Sequence, residues 1–195
     1  MTATILTLYN EFPHLFVVRI GISVILLFTL IMLAFILHKH RLIDKIQRNS
    51  FAILSTYIVA LLYFTVFGRY SQSYYRYELN LFASYKQFFE SFDVFVFFQI
   101  VINLIMLIPV GFLLCLIIKS RFKYLWVVLI SILLTVGVEA LQFVSRCGTF
   151  EVDDLINNTI STILGIIIYI ILKSLYKKRK ALWVIQMFHL KITVN

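Results

Sequence analysis

Charge is scarce in this chain of 195 residues: 14% are charged and only nine are acidic, against 62% that are hydrophobic. A soluble domain of this size carries far more polar surface, so the composition excludes a water-soluble globule and points to a membrane protein. Cysteine is scarcer still, with only Cys115 and Cys147. They fall at opposite ends of neighbouring apolar runs, roughly 30 Å apart across a bilayer. A disulfide tolerates a Cα separation of only about 7 Å, so no intrachain bridge is expected. Neither cysteine has metal-ligand spacing to a second Cys or to His14, His38, His40 or His189, so no metal and no cofactor are expected. No internal repeat, glycine-rich phosphate loop or evident nucleophile is present.

What the chain does have is long apolar runs separated by basic clusters. The runs extend over Leu15 to Leu37, Phe51 to Phe67, Val94 to Ile118, Tyr124 to Ser145 and Leu155 to Leu172, each near the ~20 residues that cross a bilayer. Thirteen of the eighteen Lys and Arg residues lie in Lys39–Arg48, Lys119–Lys123 and Lys173–Lys191. With five spans these clusters share one face. The other receives Arg69, Arg76, Lys86 and Arg146, with Arg19 inside the first span near it. The positive-inside rule then puts the N-terminus outside and the C-terminus in the cytoplasm. The expected fold is therefore all-α, a polytopic membrane helix bundle. Residues 1–50 read as an N-terminal anchor and cytoplasmic loop, 51–173 as the main membrane domain, and 174–195 as a basic cytoplasmic tail. The run from Leu15 is expected to stay in the membrane as a span, since the residues before it carry Glu11 and no Lys or Arg. The net charge of +9 reflects topology and attraction to anionic inner-leaflet lipid, and nucleic acid is not an expected partner.

The long outer connection from Gly68 to Asp93 is crowded with Tyr and Phe, which suits either an aromatic belt at headgroup level or a stacking surface for a ligand. Beyond Leu172, a basic cluster precedes Ala181–Leu190, a run too short to span; with Trp183, Met187 and Phe188 it suits either a helix on the inner leaflet or a simple stop-transfer signal.

Polar residues inside the spans carry the chemistry. Glu139, Gln142 and Arg146 are three and four apart on one helical stripe. A carboxylate at the depth of Glu139 costs about 2.5–3.5 kcal/mol on insertion scales, so it has to be protonated, paired or wetted. In the fifth span Asp154, Asn157, Asn158, Ser161 and Gly165 form a second stripe. A short connection makes the two helices a hairpin, predicting that Arg146 meets Asp154, Gln142 lies level with Asn158, and Glu139 lies near Ser161. Asp153 and Asp154 also suit a helix start, and Gly165 lets backbones approach. The third span adds Gln99 and Asn103, then Pro109 and Gly111, where a bend is expected. Arg69 and Asn80 stand at the rim. Each residue alone has an ordinary reading as interhelical glue, cap or topology signal. Together they describe a polar cavity that opens outward.

At these positions the chain resembles the VanZ-like family of bacterial membrane proteins, named for a protein associated with teicoplanin resistance. The matching pieces are Arg69, Asn80-Leu81, Asn103 with Pro109, Gly111 and Phe112, Glu139 with Gln142-Phe143, Arg146, Gly148-Thr149-Phe150, and Asp153 through Thr159 to Gly165. They run from Phe64 to Leu172, with the first span and the basic tail outside. Ala83-Ser84 stands where the family commonly has Pro-Phe, and Ser161 where Gly is usual. The resemblance implies a multi-pass protein of the bacterial cell membrane that lowers sensitivity to teicoplanin-like lipoglycopeptides.

Three functions follow as expectations. The first is a non-enzymatic protein whose ligand-binding residues are Arg69, Asn80, Asn103, Glu139, Gln142, Arg146, Asp154 and Asn158. Its partners would be membrane lipid and an acylated glycopeptide or lipid-linked cell-wall precursor. The second is an enzyme on such a precursor, with Glu139 as acid or base and Asp154 pairing Arg146. The third is purely architectural, the stripes locking helices together.

Overall fold

The computed structural model describes the backbone of residues 13–193 except residue 70, and the side chains of residues 19–180 with the same exception. Within these bounds five helical stretches are long and apolar enough to cross a membrane. Helix α1 spans Pro13–Lys39 and α2 Lys45–Leu62. The turn between them is shaped by a capping box. Asp44 accepts the Gln47 N–H at 2.8 Å, and the Gln47 side chain returns to the Asp44 N–H at 3.1 Å. Asp44 also pairs with Lys119, which holds its carboxyl below the usual range, and the Gln47 amide donates to the Ile117 carbonyl at 2.6 Å. The two basic turns are thereby fastened to each other at one end of the bundle.

The second span does not end as a regular helix. Tyr63–Phe67 form a π turn closed by Gly68, and the Arg19 guanidinium donates to the Phe67 carbonyl at 2.8 Å. The third span is broken in two, α4 over Val94–Met106 and α5 over Ile108–Ile117, with Leu107 between them. Pro109 withdraws the N–H that would bond the carbonyl one turn earlier, so the predicted bend falls just before it. Neighbouring side chains satisfy the freed groups: the Leu107 N–H donates to Ser161 Oγ at 2.8 Å, and the Tyr57 hydroxyl donates to the Met106 carbonyl at 2.6 Å. Helix α6 covers Lys123–Val144 and α7 Val152–Thr193.

Helix α7 is the spine, packing on α4, α5 and α6, while α2 packs on α1 and α5. Where α5 crosses α7, Gly165 lies against the Ile108 carbonyl and Gly111 against the Thr162 carbonyl; a Cβ at either would overlap the facing backbone. Below that crossing the core is aliphatic, built on Leu54, Leu107, Val110, Val127 and Ile166.

Two features add to the expected helix bundle. The connections at the far end are not wholly irregular: β1 (Arg76–Glu78) pairs in parallel with β2 (Thr149–Glu151), Tyr77 opposite Phe150, and α3 covers Ala83–Ser91. The fifth helix runs on past the end of its apolar stretch at Leu172. Its backbone continues to Thr193, there being no Gly or Pro after Gly165 to end it. The side chains expected to lie on the inner leaflet, Trp183, Met187 and Phe188, fall outside the described residues.

Candidate functional site: a polar cavity beneath the β-ribbon

Between the π turn, α4, α6, the ribbon and the start of α7 lies a cavity of about 780 Å³. The π turn presents the Thr65 carbonyl to the Gln142 amide, which donates to it at 3.3 Å. Asp93 caps α4 by accepting the Phe95 N–H at 2.8 Å, and one face of that helix carries Gln99 and Asn103. The Asn103 amide donates to Asp154 Oδ1 at the first turn of α7. Glu139, 3% exposed on α6, accepts the Glu151 N–H at 3.3 Å. Glu151 in turn accepts from the Gln99 amide at 3.3 Å and from the Ser84 hydroxyl at 3.0 Å.

Outside this lining, the loop before α3 is pinned by Asp153, 2% exposed, which accepts the backbone N–H groups of Phe82 at 2.6 Å and Ser84 at 2.9 Å. One turn along α7, Asn157 accepts the Tyr85 hydroxyl at 2.6 Å. Helix α3 is thus fastened to the start of α7 as a cover over the ribbon end.

Of the residues singled out from sequence, Arg69, Asn103, Glu139, Gln142 and Asp154 line this one cavity. Three others do not. Asn80 lies in a separate surface groove between β1 and α3, its N–H donating to Glu78. Asn158 is 3% exposed and is not part of the lining. Arg146 does not meet Asp154. Its backbone adopts a left-handed φ of 53°, and its guanidinium lies 4.4 Å from the Tyr75 ring centre and 3.2 Å from that hydroxyl. Gln142 donates to the Thr65 carbonyl, and Ser161 accepts the Leu107 N–H.

Sequence reasoning missed Glu151 and Arg76, which also line the cavity, and the role of Asp153. A signal for Glu151 existed, since it stands three residues before Asp154 in a chain with nine acids.

The polar groups are unevenly satisfied. The carboxylates of Glu139, Glu151 and Asp154 each accept a hydrogen bond from the protein. Arg76 Nε is buried with no partner among the described residues. Among those residues the ion pairs are Lys86–Glu90 and Lys119–Asp44, and neither lies in the cavity. Arg76 thus keeps one N–H open to an acceptor, in a lining that holds Arg69 and also the carboxylates of Glu139, Glu151 and Asp154. Cys147 also lines the wall, and burial pushes its thiol up from the ordinary value. Among the described residues no cluster of three or more His, Cys, Asp or Glu is arranged to hold a metal.

One side of the cavity is apolar. Phe95, Phe98 and Ile102 of α4 line it while remaining 84%, 55% and 52% exposed on the outer surface of the bundle. In a bilayer that surface meets acyl chains.

Comparison with known proteins fits this architecture. No curated protein and no solved structure matches the chain. The VanZ/LLP1 family profile matches residues 24–173. The match begins inside α1, so it includes much of the first span that the motifs alone left outside, and it stops at the basic tail. Covering well over half of the chain and all of its cavity, the match shows that this multi-pass membrane protein belongs to the VanZ/LLP1 family.

Proposed function

We propose that the protein binds the polar or anionic head of an envelope amphiphile in the cavity beneath the ribbon, and so lowers sensitivity to teicoplanin-type lipoglycopeptides. One observation carries this reading: polar side chains from the loop after the π turn, both ribbon strands, α4, α6 and the start of α7 share a cavity of about 780 Å³ that also has an apolar wall on α4. Arg69 and Arg76 contact the anionic or carbonyl groups of the head. Asn103, Gln142 and the carboxylates fix its orientation, and Phe95, Phe98 and Ile102 hold the first part of its apolar chain. The basic clusters at the opposite end of the bundle support an outward-facing cavity by the positive-inside rule. Candidate ligands are an acylated glycopeptide and a lipid-linked cell-wall precursor.

The test compares teicoplanin susceptibility of cells expressing wild type, Glu139→Gln or Asp154→Asn at equal membrane levels. Loss of protection in the variants supports the reading, and unchanged susceptibility refutes it. A catalytic reading draws on Glu139 and Asp154 facing the same cavity, the arrangement that acid/base work on a lipid-linked substrate would use. Incubation of purified protein with labelled cell-wall lipids separates the two. Turnover abolished by Glu139→Gln favours the enzyme; saturable binding without product favours the binder.

A further inference from the structure

A second depression lies on the ribbon end, over the aromatic loop. It encloses about 770 Å³ between β1 and α3, within the ~300–1,000 Å³ typical of small-molecule sites. Its walls differ in kind from those of the cavity below. Tyr74 and Tyr77 are 61% and 66% exposed there, and Asn80, Ser84 and Gln87 supply hydroxyl and amide groups around them. Charged side chains line it too, Arg76, Glu78, Glu151 and the paired Lys86 and Glu90, and exposed aromatic rings beside carboxylates, amides and a guanidinium suit a polyhydroxylated ligand, whose C–H faces stack while its hydroxyls are bonded. A peptide adding to the ribbon edge is less well served, because β1 offers only three residues of ladder.

The two depressions are not independent, for Arg76, Thr149 and Glu151 line both. Arg76 stands at the junction with its Nε buried and unpartnered, a donor placed for an anion between the two chambers. From membrane outward the order is an apolar wall on α4, then guanidinium groups, then a tyrosine-lined groove. We propose that the groove is a glycan subsite, and that the protein takes amphiphiles in which a sugar is joined to an apolar chain through a phosphate. The inference rests on the headgroup-binding reading above and names the class of head. The apolar chain lies along Phe98 and Ile102, the phosphate meets Arg76, and the sugar stacks on Tyr74 and Tyr77.

The test uses the full chain in lipid nanodiscs, titrated with farnesyl diphosphate and with farnesyl diphosphate bearing one N-acetylglucosamine. The glycosylated probe is expected to bind about tenfold tighter, equivalent to ~1.4 kcal/mol. Replacing both Tyr74→Ala and Tyr77→Ala removes that increment and leaves the bare probe unaffected. The paired Tyr74→Phe and Tyr77→Phe variant, which keeps the rings, retains it. Arg76→Gln weakens both probes. Equal affinity of the two probes for wild type overturns the glycan subsite while leaving the headgroup cavity standing. An equal loss for both probes in the alanine pair overturns it as well. Failure of both probes to bind saturably removes both readings together.

Discussion

Asp153→Ala should loosen the cover over the ribbon end without unmaking the bundle. The carboxylate is 2% exposed and accepts two backbone N–H groups, those of Phe82 and Ser84, at the point where the loop enters α3. Hydrogen bonds to a charged acceptor contribute ~1.5–3 kcal/mol each. Both donors are only part-buried, so some of the loss returns through hydration, and about 2–4 kcal/mol of local docking energy remains at stake. Asp153→Asn keeps one acceptor oxygen and should cost roughly half as much. Phe82 strengthens the dependence, because its backbone is left-handed at φ 62° and needs an external tie. Hydrogen exchange in detergent reads this directly. Amides of residues 82–91 should exchange roughly 30- to 700-fold faster in Asp153→Ala if opening is local. Those of α5 and of α7 beyond Gly165 should be unchanged. If α3 keeps wild-type protection, the argument that Asp153 fastens it is wrong.

Three further outcomes follow from packing and ionisation. Gly165→Ala drives a Cβ into the Ile108 carbonyl and should cost about 1–3 kcal/mol, seen as a lower melting temperature in detergent. Gly137→Ala, with nothing within 4 Å of the added carbon, should be neutral or slightly stabilising and serves as the control. Ser161→Ala orphans the Leu107 N–H at the break in the third span and should cost ~1–3 kcal/mol by the same measurement, against no loss if the break is solvated another way. The Cys147 thiol is 5% exposed, and burial raises its pKa above the ordinary thiol value, so thiolate is scarcer at neutral pH than in a free thiol. Maleimide labelling at Cys147 should be slow at pH 7 and rise only as pH passes the ordinary thiol range. Fast labelling at neutral pH would contradict the buried setting.

The spans were legible because apolar length and basic flanks are properties of composition, which no tertiary contact can mask. The bend at Leu107 followed from Pro109, and the close crossing at Gly165 from a missing side chain. Helical periodicity also put Glu139 and Gln142 on one stripe, and the structure brings both to the cavity with Asn103 and Asp154. What could not be read depends on backbone choices with weak local signals. Arg146 turns away because a non-glycine residue adopts a left-handed φ, which sequence seldom announces. The π turn at Tyr63–Phe67 departs from regular helical spacing, and within it the Thr65 carbonyl accepts from Gln142. Strands of three residues carry too little alternation to detect, so the ribbon that brings Arg76 and Glu151 to the cavity stayed hidden in a loop. The continuation of α7 past Leu172 was obscured by its lysines, which read as a boundary but do not break a helix.

The central claim is that one amphiphile sits with its head in the polar cavity and its chain along α4. A structure of the protein determined in native lipid tests it most directly. The account predicts elongated density with one end between Arg69, Arg76 and Asn103 and the other running past Phe98 and Ile102. A cavity holding only ordered water, with Phe95, Phe98 and Ile102 closed against α6, would contradict it.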